Sequence, residues 1–203
     1  ALAALLESLV GEWPARPATL VLVGHSMGGL VARSALHYAR LARHRWPAKL
    51  EAVFFLGTPH LGAPLERGGN GVNVLLGASP YTAPFARLPR IRSAGITDLR
   101  HGSVRDEDWA GKDRFAHRRA PQAGLALPRG VRAYALAATT GRRKPAAGTA
   151  APGDLLVPLE SALGRHRTKS RDLGIPADRQ RGGTNMNHLD LLSSRAAGGP
   201  VAR

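Results

Sequence analysis

The stretch Thr19–Ala39, TLVLVGHSMGGLVARSALHYA, changes character twice. It opens as an apolar, β-branched run, breaks at a glycine cluster enclosing Ser26, and takes on helical spacing from Gly28 to about Arg43. That order predicts a buried strand, a sharp turn and a helix. Gly24–Gly28 fits the pattern GxSxG, which is weak by itself in a chain with 24 glycines among 203 residues. Its position after a strand and at the head of a helix is what a nucleophilic serine on a strained elbow requires. Gly24 and Gly28 are expected to clear space around Ser26. The Met27 backbone N–H, at the positive end of the helix, is expected to face a developing oxyanion.

Working outward, Ala1–Pro14 reads as a helix already under way, with Leu2, Leu5, Leu6 and Leu9 on one face. A first residue other than Met and a helix in progress suggest a chain whose N-terminal part is missing. Leu50–Gly57, LEAVFFLG, is apolar nearly throughout, as strands of parallel sheets are. Strand, helix and strand in this order imply a parallel pair with a right-handed crossover. A third strand is expected at Val131–Thr139 and a weak fourth near Asp172–Ile175. The fold class is therefore α/β, a largely parallel sheet flanked by helices. The chain is expected to form a single domain over 1–203. Residues 68–128, rich in proline and glycine, form a long insertion expected to act as a cap or lid.

Composition narrows the function classes. With no cysteine there is no disulfide, thiolate metal site or cysteine nucleophile, and the compartment stays open. The formal net charge of +15 invites nucleic acid, yet four lysines stand against 25 arginines in a chain rich in Ala, Gly and Pro. The basic residues are scattered without aromatic interleaving, so no nucleic-acid partner is expected. No apolar run reaches the roughly 20 residues that span a bilayer.

LVGHSMGGLVAR followed by FFLGTPHLGAPLE resembles the lipase and esterase branch of the α/β-hydrolase superfamily, including bacterial relatives of the GPI inositol-deacylase-like serine hydrolases. The resemblance implies an α/β-hydrolase fold and a triad in the order Ser, acid, His, each on a loop after a core strand. Asp154 in APGDLLVPLESALG resembles the family's DGxVP segment, with Leu155 where glycine is common. His188 in TNMNHLDLLSS resembles the terminal histidine motif. Asp98, Asp106 and Asp108 are read as solvated loop carboxylates, and Glu160 as lying too far into the next helix. His25 is expected to pack under the elbow, His60 to shape the pocket floor, and His37, His44, His101, His117 and His166 to lie at the surface. Asp190 is read as a helix N-terminal carboxylate.

The implied chemistry is acyl transfer from a carboxylic ester to water by way of an acyl-enzyme on Ser26, with His188 as base and Asp154 supporting its imidazolium. No metal or cofactor is required. The expected partner is a small-molecule or lipid ester, with peripheral contact to a lipid surface. The alternatives are an acyltransferase on the same triad and a non-catalytic binding module of the same fold. The second oxyanion amide, which the resemblance puts on a loop after an earlier strand, would precede residue 1.

Overall fold

Three apolar segments and one polar one pair into a single parallel sheet. The computed structural model describes residues 1–15, 17–63, 101–111, 125, 127–128, 130–142 and 153–193. Strands β1 (Leu20–His25), β2 (Leu50–Leu56), β3 (Arg132–Thr139) and β4 (Gln180–Thr184) lie in the order β1-β2-β3-β4, each pair parallel. The rest of the expected 68–128 insertion lies outside the described residues, as do Asp98 and His117.

Side-chain alternation divides the core. Val53, Phe55, Ala133, Ala135 and Ala137 face one layer with helices α1 (Leu2–Glu12), α2 (Met27–Leu41) and the short α3 (Leu159–Ala162). Phe54, Leu56, Leu136 and Ala138 face the other side, where Leu191 of the short helix α4 (Asp190–Ser193) packs. Both faces of β2 are thus covered, which explains its uninterrupted apolar run. Among the described residues β1 is an edge strand, with Val21 and Val23 exposed.

Two expectations are corrected. The inward stripe of α1 is Leu2, Ala3, Leu6 and Val10, while Leu5 and Leu9 are exposed. Leu2 and Leu6 stand one turn apart, and the alanine and valine complete a face that the leucines alone misplace. Asp172–Ile175 is no strand. Asp172 Oδ1 accepts from the Gly174 N–H at 2.7 Å and Gly174 adopts φ +64°, so the chain turns there while Leu173 and Ile175 enter the core. The fourth strand comes later, over the polar sequence QRGGT.

Candidate active site

The elbow is built from the end of β1 and the start of α2. Ser26 takes φ 52°, ψ −125°, a conformation a non-glycine residue holds at a cost of about 1–3 kcal/mol. Its N–H donates to the Leu56 carbonyl at 2.8 Å, tying the turn to the end of β2. Its side chain makes no capping bond to α2, which leaves the hydroxyl out of the helix. As the first residue of α2, Met27 has an N–H without an intrahelical acceptor.

The glycines divide the steric work differently from expectation. A Cβ on Gly24 would stand 2.7 Å from the backbone N and Cα of Gly29, so no side chain fits. A Cβ on Gly29 would run into Thr58, a fully buried residue just after β2. Gly28, expected to clear space for the serine, would meet nothing within 4 Å among the described residues. The close approach falls to Gly29 because it faces the β2 loop, whereas Gly28 is exposed.

Asp154 and His188 come together from two loops at the far end of β3. His188 Nδ1 lies 2.6 Å from Asp154 Oδ2, and both side chains are almost fully buried. Asp154 Oδ1 accepts from the N–H groups of Leu156 (3.0 Å) and Val157 (2.8 Å). This closes a tight turn in which a Cβ on Gly153 would run into the Val157 carbonyl. Leu155 adopts φ +83° and is exposed, so the departure from glycine falls at a left-handed position. The Asp154 loop is tied to the end of β3 by Thr140 N–H to Gly153 O (3.2 Å). The His188 loop is tied to the same strand end by Met186 N–H to Thr139 O and Asn185 N–H to Gly141 O, both 3.0 Å.

His188 lies against the elbow. Its Cε1 would be 2.9 Å from a Cβ on Gly57, next to the Leu56 carbonyl that receives the Ser26 N–H. His188 Nε2 is buried and has no hydrogen-bond partner, so its free nitrogen is not joined to Ser26 by a hydrogen bond. His25 does more than fill space under the turn. Its Nε2 lies 3.1 Å from the His188 carbonyl, and the two rings stand 4.6 Å apart. Burial chiefly, and then the nearby His188, lower its pKa below the ordinary histidine value.

The loop after β2 forms the adjoining wall. Buried His60 approaches Phe55 edge-on, and Arg33 Nη1 lies 3.4 Å from both His60 Nδ1 and the His60 carbonyl. Burial first, then the Arg33 charge, hold His60 well below the ordinary histidine pKa. Arg33 is itself buried, and desolvation lowers its pKa to about 10, with the Asp108 charge acting in the opposite sense. Asp108 is not a solvated carboxylate: it accepts from the Val104 and Arg105 N–H groups and from the Arg105 guanidinium. Asp106, exposed, fits the solvated reading. His37, His44, His101 and His166 are half-buried rather than surface groups, and His44 Nδ1 lies 3.0 Å from the Ala3 carbonyl. Glu160 sits in α3, and Asp190 Oδ2 accepts from the Asn187 N–H at 2.7 Å at the head of α4.

Sequence reasoning missed three supports. Ser161 accepts from the Leu61 N–H (3.1 Å) and donates to the Gly62 carbonyl (2.8 Å), docking the β2 loop on α3. Asn187 Oδ1 accepts from the Leu189 and Asp190 N–H groups, and with Asp190 three residues on it reads as a capping pair that brackets His188. Arg33 carried no signal beyond its place on the inward face of α2. Met27 borders a groove of about 370 Å³ between α1, α2 and residues 103–109, where Leu30, Val31, Val104 and Trp109 also contribute. Among the described residues no cluster of His, Asp or Glu could hold a metal ion.

A family model described as "PGAP1-like alpha/beta domain" matches residues 4–125. The chain belongs to that family. The PGAP1-like alpha/beta domain is a family of the α/β-hydrolase superfamily, which agrees with the parallel sheet flanked by helices and supports a hydrolase-type function. The PGAP1-like match takes in Ser26, its glycines and the β2 loop, and it ends before Asp154 and His188. No curated protein matches the chain. Among the described residues of this PGAP1-like protein, no helix is long and apolar enough to cross a membrane.

Proposed function

We propose that this protein is a serine hydrolase that cleaves carboxylic esters, in the manner of the GPI inositol-deacylase-like branch, with Ser26 as nucleophile, His188 as base and Asp154 as its orienting acid. The observation that carries the reading is the buried pair of Asp154 Oδ2 and His188 Nδ1 at 2.6 Å, with His188 Nε2 unpartnered beside a strained serine elbow. A neutral imidazole that donates from Nδ1 presents Nε2 as an acceptor, which is the tautomer a base needs.

In the first half-reaction the Ser26 hydroxyl attacks the ester carbonyl carbon while its proton passes to His188 Nε2. Asp154 stabilises the imidazolium, and the Met27 N–H donates to the tetrahedral oxyanion. Collapse breaks the bond to the alcohol oxygen, which takes the proton from His188 and leaves an acyl-enzyme. Water then attacks with the same proton relay in reverse, releasing the acid and restoring Ser26. In this reading residues 1–203 form one domain, the 68–128 insertion acts as lid or acyl-pocket wall, and the groove beside Met27 receives part of the substrate. The substrate is a small-molecule or lipid ester, met at a lipid surface where the acyl chain is long.

Fluorophosphonate labelling together with hydrolysis of p-nitrophenyl esters tests this. Ser26→Ala is expected to lose both, while Asp154→Asn and His188→Ala label slowly. Full hydrolysis by Ser26→Ala would remove Ser26 from the mechanism.

A further inference from the structure

His25 precedes the nucleophile in the chain, yet its side chain engages the loop of the base. Its Nε2 lies 3.1 Å from the main-chain oxygen of His188, 163 residues away, and the two imidazoles meet at a centroid distance of 4.6 Å with their planes tilted by 47°. A carbonyl oxygen only accepts, so the His25 proton sits on Nε2 and the bond runs from His25 to His188. The same residue is fixed from behind by the sheet: His25 ends β1, in register with Leu56. One rigid strand end therefore carries the nucleophile on its next residue and holds the base by its own backbone.

From this geometry we propose that His25 is a positioning residue for His188, setting the distance between His188 Nε2 and Ser26 through its hydrogen bond to the His188 carbonyl. The proposal rests on the serine-hydrolase reading for its consequence in catalysis. The His188 loop has its other backbone ties to the end of β3 and the turn after it, at Thr139 and Gly141. Those ties fix the loop relative to the acid, and none of them reaches the elbow. The His25 bond supplies that missing reference. Burial and then the proximity of His188 disfavour a charge on His25, while its hydrogen bond to the His188 carbonyl and then the Asp154 charge act the other way. The groups facing it are thus His188 and Asp154, and a neutral neighbour spares the developing His188 imidazolium a like charge.

The test compares His25→Phe, which keeps ring packing and removes the donor, with His25→Gln, whose side-chain amide N–H reaches about as far as Nε2. Both are checked for native thermal unfolding. In His25→Phe, kcat on a p-nitrophenyl ester is expected to fall by roughly 10²-fold with KM nearly unchanged, the penalty of a reacting pair misplaced by about 1 Å. Fluorophosphonate labelling of Ser26 should slow in parallel, and His25→Gln should recover most of both. A His25→Phe protein with wild-type kcat and labelling rate overturns the proposal, as does a His25→Gln protein impaired equally. Should wild type neither hydrolyse nor label, the hydrolase reading fails separately. The positioning claim is then decided by crystal structures of wild type, His25→Phe and His25→Gln: a longer His188 Nε2 to Ser26 Oγ separation in His25→Phe that His25→Gln restores supports the proposal, and the same separation in all three refutes it.

Discussion

Replacing Asp154 by asparagine separates the two duties its carboxylate has in the proposed triad. One oxygen, Oδ1, holds the Leu156 and Val157 N–H groups at 3.0 and 2.8 Å, and the other, Oδ2, faces His188 Nδ1 at 2.6 Å. An asparagine that keeps its carbonyl toward the two loop N–H groups turns its own NH₂ toward His188. Two donors then oppose each other unless the imidazole moves its proton to Nε2, where it can no longer accept from Ser26. In Ser-His-Asp triads this tautomer change lowers kcat about 10⁴-fold, which at 1.36 kcal/mol per decade is about 5.4 kcal/mol on the barrier. The loop bonds survive, so stability should fall by no more than about 1–2 kcal/mol, roughly a charge-assisted bond exchanged for a neutral one. Asp154→Ala removes all three bonds and strands two N–H groups, at about 1–3 kcal/mol each. Its stability should therefore fall by about 2–6 kcal/mol with a similar loss of rate. Initial rates on a p-nitrophenyl ester and urea unfolding of both variants make the comparison. An Asp154→Asn protein within tenfold of wild-type kcat refutes the tautomer argument, and equal stability of the two variants refutes the loop-holding one.

Four further outcomes follow from the same geometry. Gly28→Ala is expected to unfold at or slightly above the wild-type urea midpoint, gaining up to about 1 kcal/mol because nothing lies near its Cβ position among the described residues. Gly29→Ala, which strikes Thr58, should lose about 1–3 kcal/mol in the same titration. His60, held well below the ordinary pKa by burial and then by Arg33, takes up protons more readily unfolded than folded. Its stability contribution is thus complete above about pH 6.5 and is lost as pH falls below it, with His25 adding in the same direction. Urea unfolding free energies measured from about pH 7.5 down to about pH 5, the range in which histidine titrates, should fall less steeply in His60→Asn than in wild type. Ser161→Ala leaves the Leu61 N–H and the Gly62 carbonyl without their partner, so thermal unfolding should report a loss of about 1–3 kcal/mol.

How far the sequence could be read depended on whether a residue's environment is local. The elbow was legible because a strand, a turn and a helix follow one another within Thr19–Ala39, and β2 because both of its faces are buried. Strand β4 was not, since QRGGT lies at the sheet edge among the described residues, with little apolar burial to mark it. The role of Gly28 was misread because GxSxG describes spacing along the chain, whereas the close approach is made at Gly29 by Thr58, which arrives from the loop after β2. Asp108 looked like a loop carboxylate because its partners, the Val104 and Arg105 N–H groups, are main-chain groups that leave no mark on composition. Asp154 and His188 were singled out through resemblance and not through their local environment. The 2.6 Å contact joining them is a property of two loops closing on the end of β3.

That closure makes the sheet register the ruler of the site. His25 pairs with Leu56, Leu56 with Leu136, and Leu136 with Arg181, so one row across four strands sets the level from which the site leaves the sheet. Ser26 rises one residue beyond this row and is tied to it by its bond to the Leu56 carbonyl. The Asp154 and His188 loops are tied three to five residues further along the chain, at Thr139, which ends β3, and at Thr140 and Gly141 just beyond it. Sheet sides alternate residue by residue, so a slip of one position between β2 and β3 would invert every core contact of one strand. Val53 and Phe55 on one face and Phe54 and Leu56 on the other oppose that slip. Core packing and site geometry are therefore the same constraint here. The strained φ of Ser26 persists because Gly24, Gly29 and Thr58 interlock around it, leaving the backbone no relaxed alternative that keeps the register.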